Sequence, residues 1–132
     1  MNSFKVRDYM AVDVITFAPT DGVMDAMSIL LKHGISGAPV VAEDGRLVGI
    51  LSEVDLMDVV VQDSYYNENA GIVAEFMQAA VEHVDPDMDI LKLAQRFVRN
   101  HRRRYPVLQG DELVGQISRR DVLRAAMQFY SA

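Results

Sequence analysis

The sequence has 132 residues, half of them apolar and 24% charged, which is the composition of an ordinary globular domain. It contains no cysteine, which excludes disulfides, thiolate metal ligands and cysteine nucleophiles. Its net charge of −6 argues against general nucleic-acid binding, and it has neither an apolar run long enough to span a membrane nor a signal-peptide core in MNSFKVRDYM. We therefore expect a cytoplasmic protein without nucleic-acid or membrane partners.

The first half of the chain predicts a short helix, a strand, a helix, two strands and a last helix. The short helix covers residues 6–10, and the β-branched stretch VDVITFAP follows as the first strand. Thr20 or Asp21 is placed to cap the next helix, and Gly34 is placed to end it. Two apolar runs, residues 38–42 and 47–51, flank the turn EDGR, whose Asp-Gly pair is a strong hairpin signal.

The second half repeats the first. All four prolines follow one register, with an offset of 67 residues between Pro19 and Pro86 and between Pro39 and Pro106. The offset then falls to 66, which aligns Ser52 with Ser118 and Asp55 with Asp121. We predict one repeat over residues 1–61, an exposed linker over 62–71 (QDSYYNENAG) and a second repeat over 72–132.

Each repeat reads as β-α-β-β-α, which places the chain in the mixed α+β (α/β) class. The first two strands are joined by a helix, which predicts a right-handed crossover, and the next two by a hairpin. Three strands covered by helices on one face leave the other face apolar. Two copies that bury these faces together would explain why the repeat comes as a pair.

A Ser-x-x-Asp motif follows the last strand of each repeat, in GILSEVDLM (residues 49–57) and GQISRRDVL (115–123). One interpretation is structural, because Ser-x-x-Asp before an apolar helix approximates a capping box. The other is a ligand site, because a carboxylate offers two oxygens that only accept hydrogen bonds. The two roles are compatible, and the pattern leaves both open.

Positive charge is concentrated in the second half of the sequence. Residues 1–70 hold 4 Lys and Arg against 11 Asp and Glu, whereas residues 71–132 hold 9 against 8. The run Arg102-Arg103-Arg104 opens the strand marked by the fourth proline, Pro106, and Arg103 and Arg104 would face opposite sides of that strand. A solvated basic edge and a phosphate site both fit this triplet, because arginine offers phosphate a planar fork of donors.

The two halves together resemble a tandem pair of CBS domains, the Bateman module. The matching stretches are VITFAP and VEHVDP, GISGAPVV and HRRRYPVL, and GILSEVD and GQISRRD. The resemblance implies two repeats packed about a pseudo-two-fold axis, with two clefts that bind adenosine-containing ligands. It also implies pairing of subunits into homodimers and regulation of a separate effector protein.

The resemblance also assigns residues to the clefts, combining the Ser-x-x-Asp motif of one repeat with strand residues of the other. One cleft is expected to contain Ser52, Asp55, His83, Val84, Arg103 and Arg104. The other is expected to contain Ser118, Asp121, Ile15, Thr16 and Ser36. Because Arg103 and Arg104 belong to the first set, we expect the first cleft to hold phosphorylated ligands better, and the second to hold nucleosides, weaker ligands or none. Arg119 and Arg120 lie inside the second motif, where partial phosphate contacts from them would reduce this contrast.

No motif for catalysis stands out, and three scattered histidines do not form a metal site. We therefore expect a non-enzymatic regulatory module that senses AMP, ADP, ATP or S-adenosylmethionine, with no obligatory cofactor. The alternative is a dimerisation or protein-interaction module with degenerate clefts that bind nothing.

Overall fold

In a computed structural model, residues 4–66, 71–79 and 81–131 are described, and they form two compact units. The first-repeat unit comprises the described residues of 15–81, and the second-repeat unit comprises residues 4–14 and 82–131. The chain is thus mixed α/β, as predicted. Each unit has its own apolar core, with Phe17 and Leu51 fully buried in one and Tyr105 and Ile117 in the other.

Each unit contains two helices and one antiparallel hairpin among the described residues. In the first-repeat unit these are α1 (Val23–His33), β1 (Gly37–Val41), β2 (Leu47–Ser52) and α2 (Glu53–Tyr66). In the second-repeat unit they are α3 (Ile90–Asn100), β3 (Arg104–Gln109), β4 (Glu112–Ser118) and α4 (Arg119–Ser131). Because α2 continues to Tyr66, the first half of the predicted linker is helical; residues 67–70 lie outside the described residues.

The predicted first strand of each repeat is reduced to one parallel bridge, and the prolines explain why. Phe17 pairs with Val40: its N–H donates to Pro39 O (3.0 Å) and its carbonyl accepts from the Val41 N–H (2.9 Å). The next bonds of the ladder would need N–H groups from Pro19 and Pro39, which have none. Val84 and Val107 make the same single bridge in the second repeat, where Pro86 and Pro106 occupy the equivalent positions.

Each unit is completed by the opening segment of the other repeat. A 3-10 turn, Val6–Asp8, joins the second-repeat unit, where the Arg7 N–H donates to Pro86 O (2.8 Å). Its counterpart, Val73–Glu75, joins the first-repeat unit, where the Ala74 N–H donates to Pro19 O (2.9 Å). The compact units therefore differ from the sequence repeats 1–61 and 72–132 by an exchange of these openings.

Two glycines allow these segments to approach the hairpins. A Cβ on Gly49 would lie 2.6 Å from Met77 Sδ and 2.9 Å from Gln78 O. A Cβ on Gly115 would lie 2.7 Å from both Ala11 O and Met10 Sδ. The glycine that opens each Ser-x-x-Asp motif is thus required by close backbone approach.

The helix ends differ in part from the sequence-based assignment. Gly34 ends α1 in the left-handed conformation, with φ of 62°, as predicted. The N-cap of α1 is Gly22, however, rather than Thr20 or Asp21, because the Asp21 carboxylate instead accepts from the Ala18 N–H (2.8 Å). In the second repeat Asp89 caps α3, where its carboxylate accepts from the Leu91 N–H.

Candidate functional site

Both Ser-x-x-Asp motifs form reciprocal caps at the start of a helix. In the first, Asp55 Oδ2 accepts from the N–H (2.8 Å) and the hydroxyl (3.0 Å) of Ser52, whose Oγ accepts from the Asp55 N–H (3.4 Å). In the second, Asp121 and Ser118 repeat this arrangement at 2.8, 3.0 and 3.3 Å. The geometry is that of a capping box in which aspartate replaces the usual glutamate. The capping interpretation of the motifs is therefore confirmed for both copies.

The second carboxylate oxygen of each aspartate has a different partner. Asp55 Oδ1 accepts from the side-chain amide of Gln78 at 3.0 Å. Asp121 Oδ1 is paired with the guanidinium of Arg124, whose side chain is largely exposed. The aspartates themselves are 8% and 7% exposed, so each is nearly buried, and the second oxygen of each carboxylate has one side-chain partner. The two motifs are alike as caps and unlike in what faces their remaining oxygen.

A cavity of about 490 Å³ opens beside the second motif, within the second-repeat unit. Its walls combine four arginines with the capping pair and the bridge between Ala11 and β4: Ala11, Arg103, Arg104, Gln116, Ser118, Arg119, Arg120 and Asp121. A concave surface with clustered guanidinium groups and one carboxylate suits a ligand that has both an anionic group and hydroxyl donors.

The hairpin register brings the arginines to this cavity. Arg104 is paired with Ser118 across β3 and β4, and the Arg119 N–H donates to Arg103 O at 3.1 Å. The sequence-based grouping placed Arg103 and Arg104 with Ser52 and overlooked this register. The hairpin signal was sufficient to find it, because the start of one strand must lie opposite the end of its antiparallel neighbour.

The cavity concentrates positive charge. Arg104 is half-buried, and its pKa is lowered first by burial and then by the positive charge of Arg103. Neighbouring guanidinium groups that disfavour each other's charge would be stabilised by a bound anion. Arg102, by contrast, is exposed and forms an ion pair with Glu82 at 3.2 Å, and it is not part of the cavity wall.

The equivalent positions beside the first motif carry no cations. Gly37 is paired with Ser52 where Arg104 is paired with Ser118, and the Glu53 N–H donates to Ser36 O at 2.9 Å. Glu53 and Val54 replace Arg119 and Arg120. Within the first-repeat unit, the surroundings of Ser52 and Asp55 are therefore neutral to acidic.

The other predicted site residues of the first strands lie at or just before the single bridges. His83 is exposed and its carbonyl accepts from Arg96 Nη1 (3.0 Å), while Val84 is buried and bridged to Val107. Ile15 is partly buried, and Thr16 lines a separate cavity of about 550 Å³ together with Val41 and Glu43. The predicted sharing of a cleft by residues from both units stays a prediction.

Two further observations concern metals and membranes. Within residues 4–66, 71–79 and 81–131, no group of three or more His, Cys, Asp or Glu side chains could hold a metal ion. No helix in that part of the chain is both long and apolar enough to cross a membrane.

Comparison with known proteins identifies the repeats. A match to the CBS domain covers residues 6–62 and 73–128. The chain belongs to the CBS domain family. The tandem CBS pair expected from the resemblance is thus confirmed, as is its mixed α/β fold.

Solved CBS pairs have the same fold. The structure of CBSX2 from Arabidopsis thaliana in complex with AMP is 25% identical, covers 97% of this chain and 99% of that one, and has a TM-score of 0.84. The CBS domain pair of protein MJ0100, in complex with 5′-methylthioadenosine and S-adenosyl-L-methionine, is also 25% identical, covers 95% and 97% of the two chains, and has a TM-score of 0.76. Both of those CBS pairs bind adenosine-containing molecules.

Curated relatives are generally longer than this CBS pair. Chloroplastic CBSX1 of Arabidopsis thaliana is 29% identical over 88% of this chain and 60% of its own length. The chain spans 63%, 60% and 41% of the first three curated relatives that it matches, which is less than two thirds of each.

Sequence reasoning missed three residues that shape the surroundings of the motifs. Ala11 lies in the cavity wall, Gln78 donates to Asp55, and Arg124 is paired with Asp121. Ala11 and Gln78 are equivalent in the repeat, at an offset of 67. The repeat aligns these two residues but does not indicate that Ala11 lies in the second-repeat unit and Gln78 in the first-repeat unit. That placement depends on which unit each opening segment joins.

Proposed function

We propose that this CBS pair is a regulatory module that binds an adenosine-containing nucleotide at the arginine-lined cavity of the second-repeat unit. The observation that carries the proposal is the meeting of Arg103, Arg104 and Asp121 in one cavity. The guanidinium groups offer planar donor forks to a phosphate, and the carboxylate offers acceptors to ribose hydroxyls. The adenosine ligands of related CBS pairs support the choice of ligand class.

The regulatory part of the proposal follows from the same chemistry. The site has groups that bind and orient an anion, and we propose no catalysis, no obligatory cofactor and a cytoplasmic location. A bound nucleotide changes the activity of a separate effector protein only if it binds one conformation of the module more tightly than another. We propose AMP, ADP, ATP and S-adenosylmethionine as the candidate ligands.

Calorimetric titration with AMP and adenosine tests this proposal. Removing one guanidinium that contacts a phosphate should weaken AMP binding by about tenfold or more, because a charge-assisted hydrogen bond is lost. We expect this loss in Arg103→Gln and Arg104→Gln, with adenosine binding little changed. Arg102→Gln is the matched control, because Arg102 belongs to the same triplet but is paired with Glu82 outside the cavity.

The outcomes separate the proposal from its alternatives. Titration with ADP, ATP and S-adenosylmethionine under the same conditions ranks the ligand class. Equal weakening of AMP and adenosine in the arginine variants would contradict a phosphate role for this cavity. Absence of binding by all five compounds would leave the Ser-x-x-Asp motifs as helix caps only.

A second candidate function, a self-associating interaction module, is favoured by the exposed faces of the helix pairs. Leu31 is 76% exposed on α1, and Val98 is 76% exposed on α3. Each borders an apolar groove within its own unit, between α1 and α2 or between α3 and α4. Apolar side chains clustered in this way are typical of protein-interaction surfaces.

The charges of the helix pairs indicate how two copies would associate. Helices α1 and α2 hold five Asp and Glu against one Lys, whereas α3 and α4 hold six Lys and Arg against one Asp. Such complementarity favours contact of the α1–α2 face of one copy with the α3–α4 face of another. We therefore propose a homodimer built from unlike faces.

Sedimentation velocity tests the homodimer. We expect Leu31→Glu and Val98→Glu each to lower the association constant at least tenfold, because each adds a charge to an apolar contact. Arg46→Glu, in the exposed turn between β1 and β2, is the control and should associate as the wild type does. A wild type that is monomeric at high micromolar concentration would refute this assembly.

A further inference from the structure

We infer that Gln78 closes the Ser52–Asp55 motif to ligands. The residue at this repeat position, Gln78 in one unit and Ala11 in the other, then decides which motif can bind a nucleotide. The inference rests on the proposed function and adds to it a residue outside both motifs that determines binding. It reverses the expectation that the Ser52–Asp55 motif is the better phosphate site.

The backbone places the two residues identically. Gln78 and Ile50 exchange two hydrogen bonds, of 2.8 Å from the Gln78 N–H and 2.9 Å from the Ile50 N–H. Ala11 and Gln116 exchange the same two, also at 2.8 and 2.9 Å. Because the backbones match, the two positions differ by their side chains and not by how closely the segment approaches the hairpin.

The glutamine side chain takes the acceptor that a ligand would need. Asp55 Oδ2 is committed to the cap, and Gln78 Nε2 donates to the remaining oxygen at 3.0 Å. An amide N–H is a neutral donor, as a ribose hydroxyl is, so Gln78 satisfies Asp55 much as a bound ligand would. Alanine has no such group, and Ala11 instead forms part of the wall of the open cavity. The corresponding oxygen of Asp121 is paired with Arg124, whose side chain is 67% exposed and can turn from the carboxylate to a bound phosphate.

Charge strengthens the difference between the two motifs. The residue three positions after the aspartate is Asp58 in the first motif and Arg124 in the second. Asp58 accepts from Gln62 Nε2 at 3.1 Å and keeps a second carboxylate on the same helix as Asp55. An incoming phosphate would therefore meet repulsion at the first motif and attraction at the second.

The test exchanges the two side chains and uses AMP as the probe. Displacing an amide that is hydrogen-bonded to a carboxylate reduces affinity by about tenfold to a hundredfold. We expect Ala11→Gln to weaken the wild-type AMP site by this factor. We expect Gln78→Ala to add a second, weaker AMP equivalent that is lost on further substitution with Asp55→Asn, whereas the wild-type equivalent is lost in Asp121→Asn.

Two controls keep the result interpretable. Gln95→Ala removes an exposed glutamine from α3 and should leave the AMP stoichiometry unchanged. The side-chain amide resonance of Gln78, assigned by its absence in Gln78→Ala, reports on the closed motif directly. During AMP titration of the wild type this resonance should stay in place while the backbone amides of Ser118 and Asp121 shift.

The outcomes for the inference and for the proposed function are distinguishable. If wild-type protein binds one AMP through Asp121 and Gln78→Ala still binds only one, the inference is wrong and the proposed function stands. If the wild type binds none but Gln78→Ala gains an Asp55-dependent site, the proposed function is wrong and the inference stands. Binding by neither protein overturns both.

Discussion

The two Ser-x-x-Asp motifs have the same local structure but different surroundings. Their capping bonds agree within 0.1 Å, and both aspartates are nearly buried. Around the second motif lie four arginines and an open cavity, whereas the first is closed by Gln78 in neutral to acidic surroundings. The comparison shows that the motif specifies a helix start, and that residues outside it determine what surrounds the aspartate.

The largest effect is expected when the glycine that opens a motif is replaced. Gly115→Ala places a Cβ 2.7 Å from the backbone oxygen of Ala11, so the opening segment must move away from β4. Overpacking of this kind costs about 1–3 kcal/mol of unfolding free energy. Gly49→Ala should cost a similar amount, because its Cβ would lie 2.9 Å from Gln78 O. Urea unfolding of both variants measures the cost.

A control separates steric overlap from backbone conformation. Gly110 has φ of 66°, and a Cβ added there would meet nothing within 4 Å, so Gly110→Ala carries only the conformational cost, about 1 kcal/mol. If Gly115→Ala also weakens AMP binding, the result supports a difference between the two motifs in ligand binding as well as in surroundings. If Gly115→Ala and Gly49→Ala both had a higher unfolding free energy than Gly110→Ala, the close approach of the opening segments to the hairpins would be contradicted.

A smaller effect is expected from removing the caps. Asp55→Ala and Asp121→Ala each remove the acceptor for a serine N–H and hydroxyl, and loss of a cap costs about 0.5–2 kcal/mol. Because the capping geometry is the same and each substitution also removes one further contact, to Gln78 or to Arg124, we expect the two losses of unfolding free energy to agree within about 1 kcal/mol. Their effects on AMP binding should differ completely. Equal effects on binding would remove the proposed distinction between the motifs.

The repeat and its elements could be predicted because they depend on local signals. Proline register, the Asp-Gly turn of the first hairpin and the left-handed Gly34 all act through neighbouring residues. The same prolines also limit each first strand to one bridge, a consequence that follows only when their missing N–H groups are matched to particular ladder partners. The repeat could therefore be predicted from the sequence, whereas the length of its first strand could be determined only from the strand pairing in the structure.

The candidate site was harder to predict because it depends on contacts distant in sequence. Residues Ala11 and Gln116 are neighbours in space but belong to opposite ends of the chain. Gln78 reaches Asp55 across 23 residues, and nothing in its local sequence marks it as a partner of a helix cap. Arg104, by contrast, follows from the hairpin register once that register is applied to Ser118.

The smallest expected effect concerns the opening segments and pH. Arg7 Nε lies 2.8 Å from Asp87 Oδ1, and the hydrogen bond from Arg7 lowers the pKa of Asp87 below its ordinary value. The repeat places Ala74 and Thr20 at the equivalent positions, so the first-repeat unit lacks this ion pair. Acid should therefore weaken the attachment of residues 4–14 without an equivalent effect on residues 71–79.

The sign of this pH dependence follows from the direction of the shift. A carboxyl whose folded-state pKa is lowered contributes stability above its unfolded pKa of about 3.9, and this stability is lost as pH falls through the folded-state value. In Arg7→Gln, the pKa of Asp87 should rise toward its ordinary value, which carboxyl-carbon NMR titration measures directly. The pair is exposed, so 0.5 M salt (on the order of a 4–5 Å screening length) should reduce the difference between wild type and variant. Ala74→Gln is the matched control and should leave the pKa of Asp87 unchanged. If acid instead released residues 71–79 first, as followed by amide hydrogen exchange, the ion pair would not be what distinguishes the two openings.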